Sequence, residues 1–313
     1  MLDADLGVPV IDLRDGAAFY QCHLSGACHL PWPDLTTQLN ALPPRPAQLQ
    51  LVGDAPGTLQ QAAQFLSDKG YVLPVCVQWA KLIPFRATRP HAFRDHSSDS
   101  KRLWSPSAGV HTWLKHYLSA TARDKEAQSQ RPSLGFKALD LGCGGGRDAV
   151  FLAQHGVKVV AVDQQSRVLQ RARALAAHAL SPDQQNAIDW QCHNVTHWIE
   201  QPPAFRSQFS LIVMARFLER RLFQHLDQWL QPGGYVLIDT FCYLSQSDRG
   251  PKNPRFILQK DELVQSFSHF RIITDKMTPL KDGLVLQTFI AQKPEISDEK
   301  EFRSARDDNT AVI

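Results

Sequence analysis

One short run concentrates residue types that could handle a polar ligand: Ala138-Leu139-Asp140-Leu141-Gly142-Cys143-Gly144-Gly145-Gly146-Arg147-Asp148. An apolar strand ends at glycines, and a helix-like pattern begins on their far side. Glycines let the backbone turn tightly and let a ligand come close, because no Cβ stands in the way. The helix that follows offers unpaired N–H groups to that ligand. Asp163 ends the next apolar run, Lys158-Val159-Val160-Ala161-Val162-Asp163. An acid at a strand tip can accept hydrogen bonds from both hydroxyls of a ribose. A dinucleotide fingerprint would need a third glycine where Arg147 stands, for close helix–strand contact. Arg147 is far too large for that, so the loop points to a different nucleoside cofactor.

Few other residues suggest chemistry. Cys22, Cys28, Cys76, Cys143, Cys192 and Cys242 are scattered, without a Cys-x-x-Cys pair. They fit a reducing cytoplasm better than a disulfide framework or a metal site. A net charge of +3 and the lack of a basic cluster interleaved with aromatics argue against nucleic acid. No apolar run approaches the roughly 20 residues that span a bilayer. The start, Met1-Leu2-Asp3-Ala4-Asp5, lacks the order of a signal peptide. The expectation is a cytoplasmic protein without a membrane partner. Its 313 residues allow two domains.

The elements that must position the loop alternate from about residue 137 to 292. Strand 137–141 is followed by a helix with Ala149, Leu152 and Ala153 inward and Gly156 as its stop. Strand 158–163 is apolar almost throughout, as expected when both faces are covered. Ser166 opens a helix carrying Val168, Ala172, Leu175, Ala176 and Ala179 at helical spacing. Strands 187–192, 209–215 and 235–241 follow, the last after a helix at 222–230 and a Gln231-Pro232-Gly233-Gly234 turn. Strands 270–274 and 284–291, joined through Lys281-Asp282-Gly283, form an expected antiparallel hairpin. A further helix is expected at 110–120, after Leu103-Trp104-Ser105-Pro106.

This pattern, with the Gly142-to-Gly146 loop, Asp163 and the Pro232-Gly233-Gly234 turn, resembles class I S-adenosylmethionine (SAM)-dependent methyltransferases. Gly142-Arg147-Asp148, Leu152-Ala153, Gly156 and Val160-Ala161-Val162-Asp163 look most like the tellurite-resistance and small-molecule branch. The resemblance implies a Rossmann-like domain at 103–293 with a seven-stranded, mostly parallel sheet. It implies SAM as cofactor, bound by Asp140, Gly142, Cys143, Gly144, Gly146, Arg147, Asp163, Gln164, Asn194, Val195 and Ala215. Asn194 would meet the adenine amino group. Trp104, Arg216 and Phe217 are candidates on the acceptor side, Trp104 as a lid and Arg216 for an anionic acceptor. A core tryptophan accounts equally for Trp104. No general acid, base or metal ligand is assigned. The expected partner is a small-molecule methyl acceptor. A non-catalytic SAM-binding or scaffold protein is the alternative, and a tRNA or protein methyltransferase a subordinate one. The sequence leaves the oligomeric state open.

The first eighty residues resemble a rhodanese-homology domain. Ile11-Asp12-Leu13-Arg14, Phe19, His23-Leu24-Ser25-Gly26-Ala27, Leu30-Pro31, the helix 58–66 and Lys69-Gly70-Tyr71 carry the likeness. That family's sulfur transfer needs a nucleophilic cysteine after the central strand, activated as a thiolate. Val52 or Gly53 holds that position here, and Gly53-Asp54-Ala55-Pro56-Gly57 contains no cysteine. A small α/β domain without that activity is expected at 1–80. A solvated linker is expected at 81–102, where Arg86, Arg89, His91, Arg94 and His96 interrupt any periodicity. The charged tail 294–313 is expected to be disordered.

Overall fold

The structure, a computed structural model, describes residues 7–123, 136–245, 250–280 and 283–295. The chain divides into two compact units, Met1–Ser105 and Pro106–Ile313.

In the first unit, β1 (Val10–Asp12) leads through α1 (Gly16–Gln21), β2 (Cys22–Leu24), β3 (Cys28–His29) and α2 (Trp32–Leu35) to β4 (Gln48–Gly53). Then come α3 (Pro56–Asp68), β5 (Val72–Gln78) and β6 (Phe93–Asp95). The main sheet is parallel, in the order β3-β1-β4-β5. Asp15 caps α1 by accepting the Ala18 N–H at 2.8 Å. Leu59, Ala62 and Leu66, at helical spacing, are the face that α3 buries. Asp12 and Arg14 leave β1 as a buried pair. The Arg14 guanidinium donates to both Asp12 oxygens, to the Cys22 carbonyl at 2.8 Å, and lies 3.7 Å from the Trp79 ring centroid. A buried ion pair is tolerable when its polar atoms are satisfied in this way.

The stretch expected as a solvated linker folds onto this unit instead. Strand β6 pairs antiparallel with β2, and Leu82 and Phe93 are buried with Val10, Phe19, Leu24 and Val52. Leu82 and Phe93 lie in a stretch broken by Pro84, Pro90 and several basic residues, which hides any periodicity. Their burial depends on an edge supplied by residues some seventy positions earlier, Cys22–Leu24.

The second unit opens with α4 (Ala108–Arg123), followed by β7 (Lys137–Leu141), α5 (Arg147–Gln154), β8 (Lys158–Asp163), α6 (Ser166–Ala179), α7 (Pro182–Gln185) and β9 (Ile188–Cys192). Next are β10 (Phe209–Ala215), α8 (Phe223–Trp229), β11 (Leu230–Phe241), α9 (Glu262–Ser266), β12 (Arg271–Pro279) and β13 (Val285–Gln292). Among the described residues the sheet runs β12-β13-β11-β10-β7-β8-β9. The pairs from β9 to β11 are parallel, and β13 lies antiparallel between β11 and β12. Chain order therefore reverses at β7 and β10, leaving their carboxyl ends side by side. Ligands of open α/β sheets bind at such a point.

Alternation along the strands sorts their side chains onto two faces. Leu139, Leu141, Ile212, Met214, Val236 and Ile238 enter one apolar cluster with Trp198, Leu226, Trp229 and Phe289. On the other face α4 comes so close that a Cβ at Gly109 would lie 2.7 Å from Leu237. The Gln231-to-Gly234 segment, expected as a turn before the strand, lies within β11. Pairing with β10 jumps from Phe209↔Leu230 to Leu211↔Tyr235, so the segment bulges out of register, with Gly233 at φ 73°. Lys281, Asp282, the tail beyond Glu295 and the first six residues lie outside the described residues.

Trp229, 1% exposed, meets Trp198, Phe205 and His225 at centroid distances of 5.9, 5.8 and 5.6 Å. Trp229→Ala is expected to lower the stability of this unit by about 3–5 kcal/mol, because it opens a cavity among rigid rings. Urea unfolding followed by far-UV circular dichroism measures the loss.

Candidate functional site

The backbone reversal between β7 and α5 needs glycine at specific points. Gly142, Gly144 and Gly146 have φ of 71°, 53° and 77°, a region costly for residues with a Cβ. Space adds a second requirement at two of them. A Cβ on Gly142 would lie 2.5 Å from the Phe217 ring, and one on Gly146 would lie 2.7 Å from Ala172 and 2.8 Å from Trp190. A Cβ on Gly144 would meet nothing nearer than the Gly142 carbonyl at 3.9 Å. The loop is thus closed on both flanks and open over Gly144.

Asp163 closes the loop from β8. Its two carboxylate oxygens accept the Gly144 N–H at 3.1 Å and the Gln165 N–H at 2.9 Å. Each oxygen keeps a lone pair for a further donor. Gln164 beside it is exposed.

Asp140 lies beneath the loop, 2% exposed, and its Oδ2 has no hydrogen-bond partner among the described residues. Burial holds its carboxyl well above the usual carboxylate range, and the charges of Asp148 and Asp163 add to this. Asp148, in the first turn of α5, accepts the Ser107 N–H at 2.6 Å. Burial pushes its pKa up to about 6, against the opposing effect of the Ser107 hydrogen bonds. Asp239, near the end of β11, accepts the Gly109 N–H at 2.8 Å, while its buried Oδ1 has no hydrogen-bond partner among the described residues. Burial raises this carboxyl as well. Asp148 and Asp239 thereby hold two successive parts of the turn into α4, through an otherwise unpaired helix N-terminus. The sequence reading did not single out Asp239 or this double anchor. Asp239 carries the same signal that marks Asp163, an acid near the end of an apolar strand.

Other expected site residues take more varied places. Cys143 is buried in the loop, with its thiol pushed far up by burial and by Asp140. Arg147 begins α5, and Ala215 ends β10. The Val195 side chain belongs to the apolar cluster and faces no ligand space. Asn194 differs from expectation in detail. Its Oδ1 accepts both the Thr196 N–H at 3.0 Å and the Thr196 hydroxyl at 2.8 Å, capping the turn 195–199. An adenine amino group would compete with Thr196 for that oxygen. Phe217 packs on Gly142 and against the apolar cluster, so its first role is to cover the loop's flank. Trp104 is 3% exposed, with the Arg102 guanidinium 4.9 Å from its ring centroid, as a core tryptophan would be. It ends the first unit rather than opening the second, where 103–293 was expected to begin.

The segment after β10 is braced by charge pairs that sequence alone does not reveal. Glu219 accepts from Arg221 at 2.8 Å and from Arg255 at 2.6 Å, and these hydrogen bonds, led by Arg221, hold its pKa down at about 2. Arg220 pairs with Glu262 and donates to the Ile257 carbonyl at 2.7 Å. Together they tie residues 219–221 to 255–262.

The residues around Gly144 fit the cofactor implied by the sequence resemblance. Open space lies over a loop that a Cβ would strain, an orphaned buried carboxylate oxygen sits beneath it, and a second carboxylate stands at the tip of β8. Among the described residues no group of three His, Cys, Asp or Glu side chains could hold a metal, and no helix is long and apolar enough to cross a membrane.

A family model described as a methyltransferase domain matches residues 138–234, from β7 to the bulge of β11. A ubiquinone biosynthesis O-methyltransferase of Idiomarina loihiensis is 32% identical over 111 residues, covering 34% of this chain and 42% of that protein. A probable protein arginine N-methyltransferase 3 of Arabidopsis thaliana is 27% identical over 158 residues, covering 43% of this chain and 25% of that protein. The chain thus spans less than half the length of either relative. TehB from Haemophilus influenzae, a solved structure, superposes with a TM-score of 0.42 at 17% identity, over 57% of this chain and 62% of that one.

The raised Asp148 pKa has a definite sign for stability. A carboxyl raised from 3.8 to about 6 on folding binds its proton more tightly in the native state. Its contribution is most favourable below about pH 4 and is lost as the pH rises through about 6, by on the order of 3 kcal/mol. Asp148→Asn should therefore raise stability relative to the wild type at pH 8, with little difference at pH 4. Thermal unfolding of both proteins at the two pH values measures this.

Proposed function

We propose that this chain is a SAM-dependent methyltransferase whose cofactor lies over the Gly142-to-Gly146 loop. The observation that carries the reading is the combination of that open loop with the Asp163 carboxylate at the tip of β8, inside the segment that matches the methyltransferase-domain model. SAM, when bound, supplies a methyl group activated by its sulfonium for in-line displacement. The glycines let the backbone approach the ligand. Asp163 accepts hydrogen bonds from the ribose hydroxyls through the lone pairs left by Gly144 and Gln165. Asp140, with its free oxygen, takes a donor from the amino-acid end. Gln164, Asn194 and Ala215 line the remaining edges, and Cys143 and Arg147 hold the loop's shape. Positioning and exclusion of water carry the rate in this scheme, and no side chain is assigned as a base.

The acceptor is read as a small molecule, in keeping with the tellurite-resistance and small-molecule likeness of the loop and with the O-methyltransferase relative. The arginine N-methyltransferase relative supports a second reading, with a protein acceptor. Incubation with methyl-labelled SAM and a cell extract separates the two, by whether label enters the small-molecule or the protein fraction. The protein is read as working in the cytoplasm, from its scattered free cysteines.

The first unit is read as a rhodanese-like domain without sulfurtransferase activity. Its parallel sheet, the Asp12–Arg14 pair and the β4–α3 loop support the likeness. That loop has no cysteine. Burial pushes the Cys22 and Cys28 thiols up to about 11, away from the thiolate that persulfide chemistry needs.

Asp163→Ala, and the near-isosteric Asp163→Asn, are expected to weaken SAM binding tenfold or more, about 1.4 kcal/mol, by removing charge-assisted hydrogen bonds. Calorimetry on folded variants tests this, and unchanged affinity would reject the ribose assignment. The purified chain should show no thiosulfate sulfurtransferase turnover. Turnover that disappears on replacing any one cysteine would overturn the silent reading.

A further inference from the structure

Four arginines surround the exit from β10, and three are committed. Arg221 and Arg255 pair with Glu219, and Arg220 pairs with Glu262. Arg216 differs. Among the described residues no carboxylate lies within ion-pair distance of its guanidinium, whose charge reaches Asp239 only at longer range, and no side-chain hydrogen bond engages it. It is nevertheless held in place. Its backbone takes φ 56°, its N–H donates to the Asp239 carbonyl at 2.8 Å, and its guanidinium lies 5.1 Å from the Phe241 ring centroid. A long side chain parked over an aromatic ring from a left-handed backbone is fixed at both ends.

The location is informative. Arg216 directly follows Ala215, which is in register with Asp239 at the carboxyl end of the sheet. The next residue, Phe217, lies against Gly142 of the glycine loop. On the far side the chain continues strand-like past Phe241. Leu258 N–H donates to the Phe241 carbonyl at 2.9 Å, and Tyr243 N–H donates to the Leu258 carbonyl at 2.8 Å. Tyr243 then enters a turn closed by the Ser245 N–H, which donates to the Cys242 carbonyl at 3.0 Å. Tyr243 and Leu244 there are 40% and 43% exposed. A guanidinium held over an aromatic ring thus belongs to the residue that precedes Phe217, which packs on the loop assigned to the cofactor.

We propose that Arg216 holds the anionic group of the methyl acceptor, and that the acceptor is a carboxylate- or phosphate-bearing molecule whose apolar body lies along Phe241. The inference rests on the methyltransferase reading. The guanidinium fork suits two oxygens of a planar carboxylate or of a phosphate, and the aromatic ring beneath keeps it aimed.

Benzoate, phenyl phosphate and neutral benzamide serve as probes on the full chain, with binding read by saturation-transfer NMR in the presence and absence of S-adenosylhomocysteine. The expected result is that at least one anion binds about tenfold more tightly than benzamide, and the preferred anion tells carboxylate from phosphate. Arg216→Gln keeps a side chain of similar reach at the same φ but removes the charge. It should bring the anions to within about twofold of benzamide, and Arg216→Lys should retain part of the preference. Equal binding of benzoate, phenyl phosphate and benzamide by the wild type would overturn the inference, as would a preference that survives Arg216→Gln. Calorimetry with S-adenosylhomocysteine is read separately. Failure of the wild type to bind it would count against the methyltransferase reading, while the anion preference without it still decides the role of Arg216.

Discussion

Everything at the carboxyl edge of the larger sheet depends on a backbone reversal that only glycine can make. Between β7 and α5 the chain turns through three left-handed residues, and at two of them a neighbouring ring or methyl group occupies the space a side chain would need. Phe217 from the β10 exit closes one flank, and Ala172 and Trp190 from α6 and β9 close the other. The loop from β7 to α5 is therefore a joint packed against the β10 exit, α6 and β9. Asp163 completes it by accepting a hydrogen bond from Gly144.

Beneath this joint the unit holds buried carboxyl groups balanced mainly by backbone N–H donors. Asp148 and Asp239 take theirs from Ser107 and Gly109, so the start of α4 is fixed by two separate acids, one on α5 and one on the sheet. Helix termini are suitable partners, because their unpaired N–H groups favour negative charge. The cost is that all three acids sit above their ordinary pKa range. The partnerless Asp140 oxygen beside the open loop suits a ligand that donates a hydrogen bond, as SAM does through its ammonium.

The first unit is held by a buried ion pair and a small parallel sheet. Its buried Asp12–Arg14 pair and parallel strands are supported by packing alone, and Trp79 beneath the Arg14 guanidinium is part of that support. The thiols that remain are buried or lie outside the loop where a nucleophile would act.

Much of the second unit was legible from residue order. Apolar runs closed by Asp140 and Asp163 marked parallel strands, because a strand covered on both faces must be apolar along its length. The glycine spacing marked the loop, because the left-handed conformation restricts residue choice locally. What the sequence could not determine are the relations that depend on distant partners. Residues 81–102 look like a linker until β2 offers an edge to β6. The Pro232-Gly233-Gly234 segment looks like a turn until pairing with β10 makes it a bulge within β11. Glu219, Arg221 and Arg255 are ordinary surface types in sequence, and only their convergence leaves Arg216 as the uncommitted cation. By itself, then, the sequence determined the strand order along the chain and the loop's backbone, which follow from local sterics and burial periodicity. Tertiary structure decided which carboxylates share a site, which cations are already paired and where Asn194 spends its oxygen, because hydrogen bonds and ion pairs are settled by proximity in space.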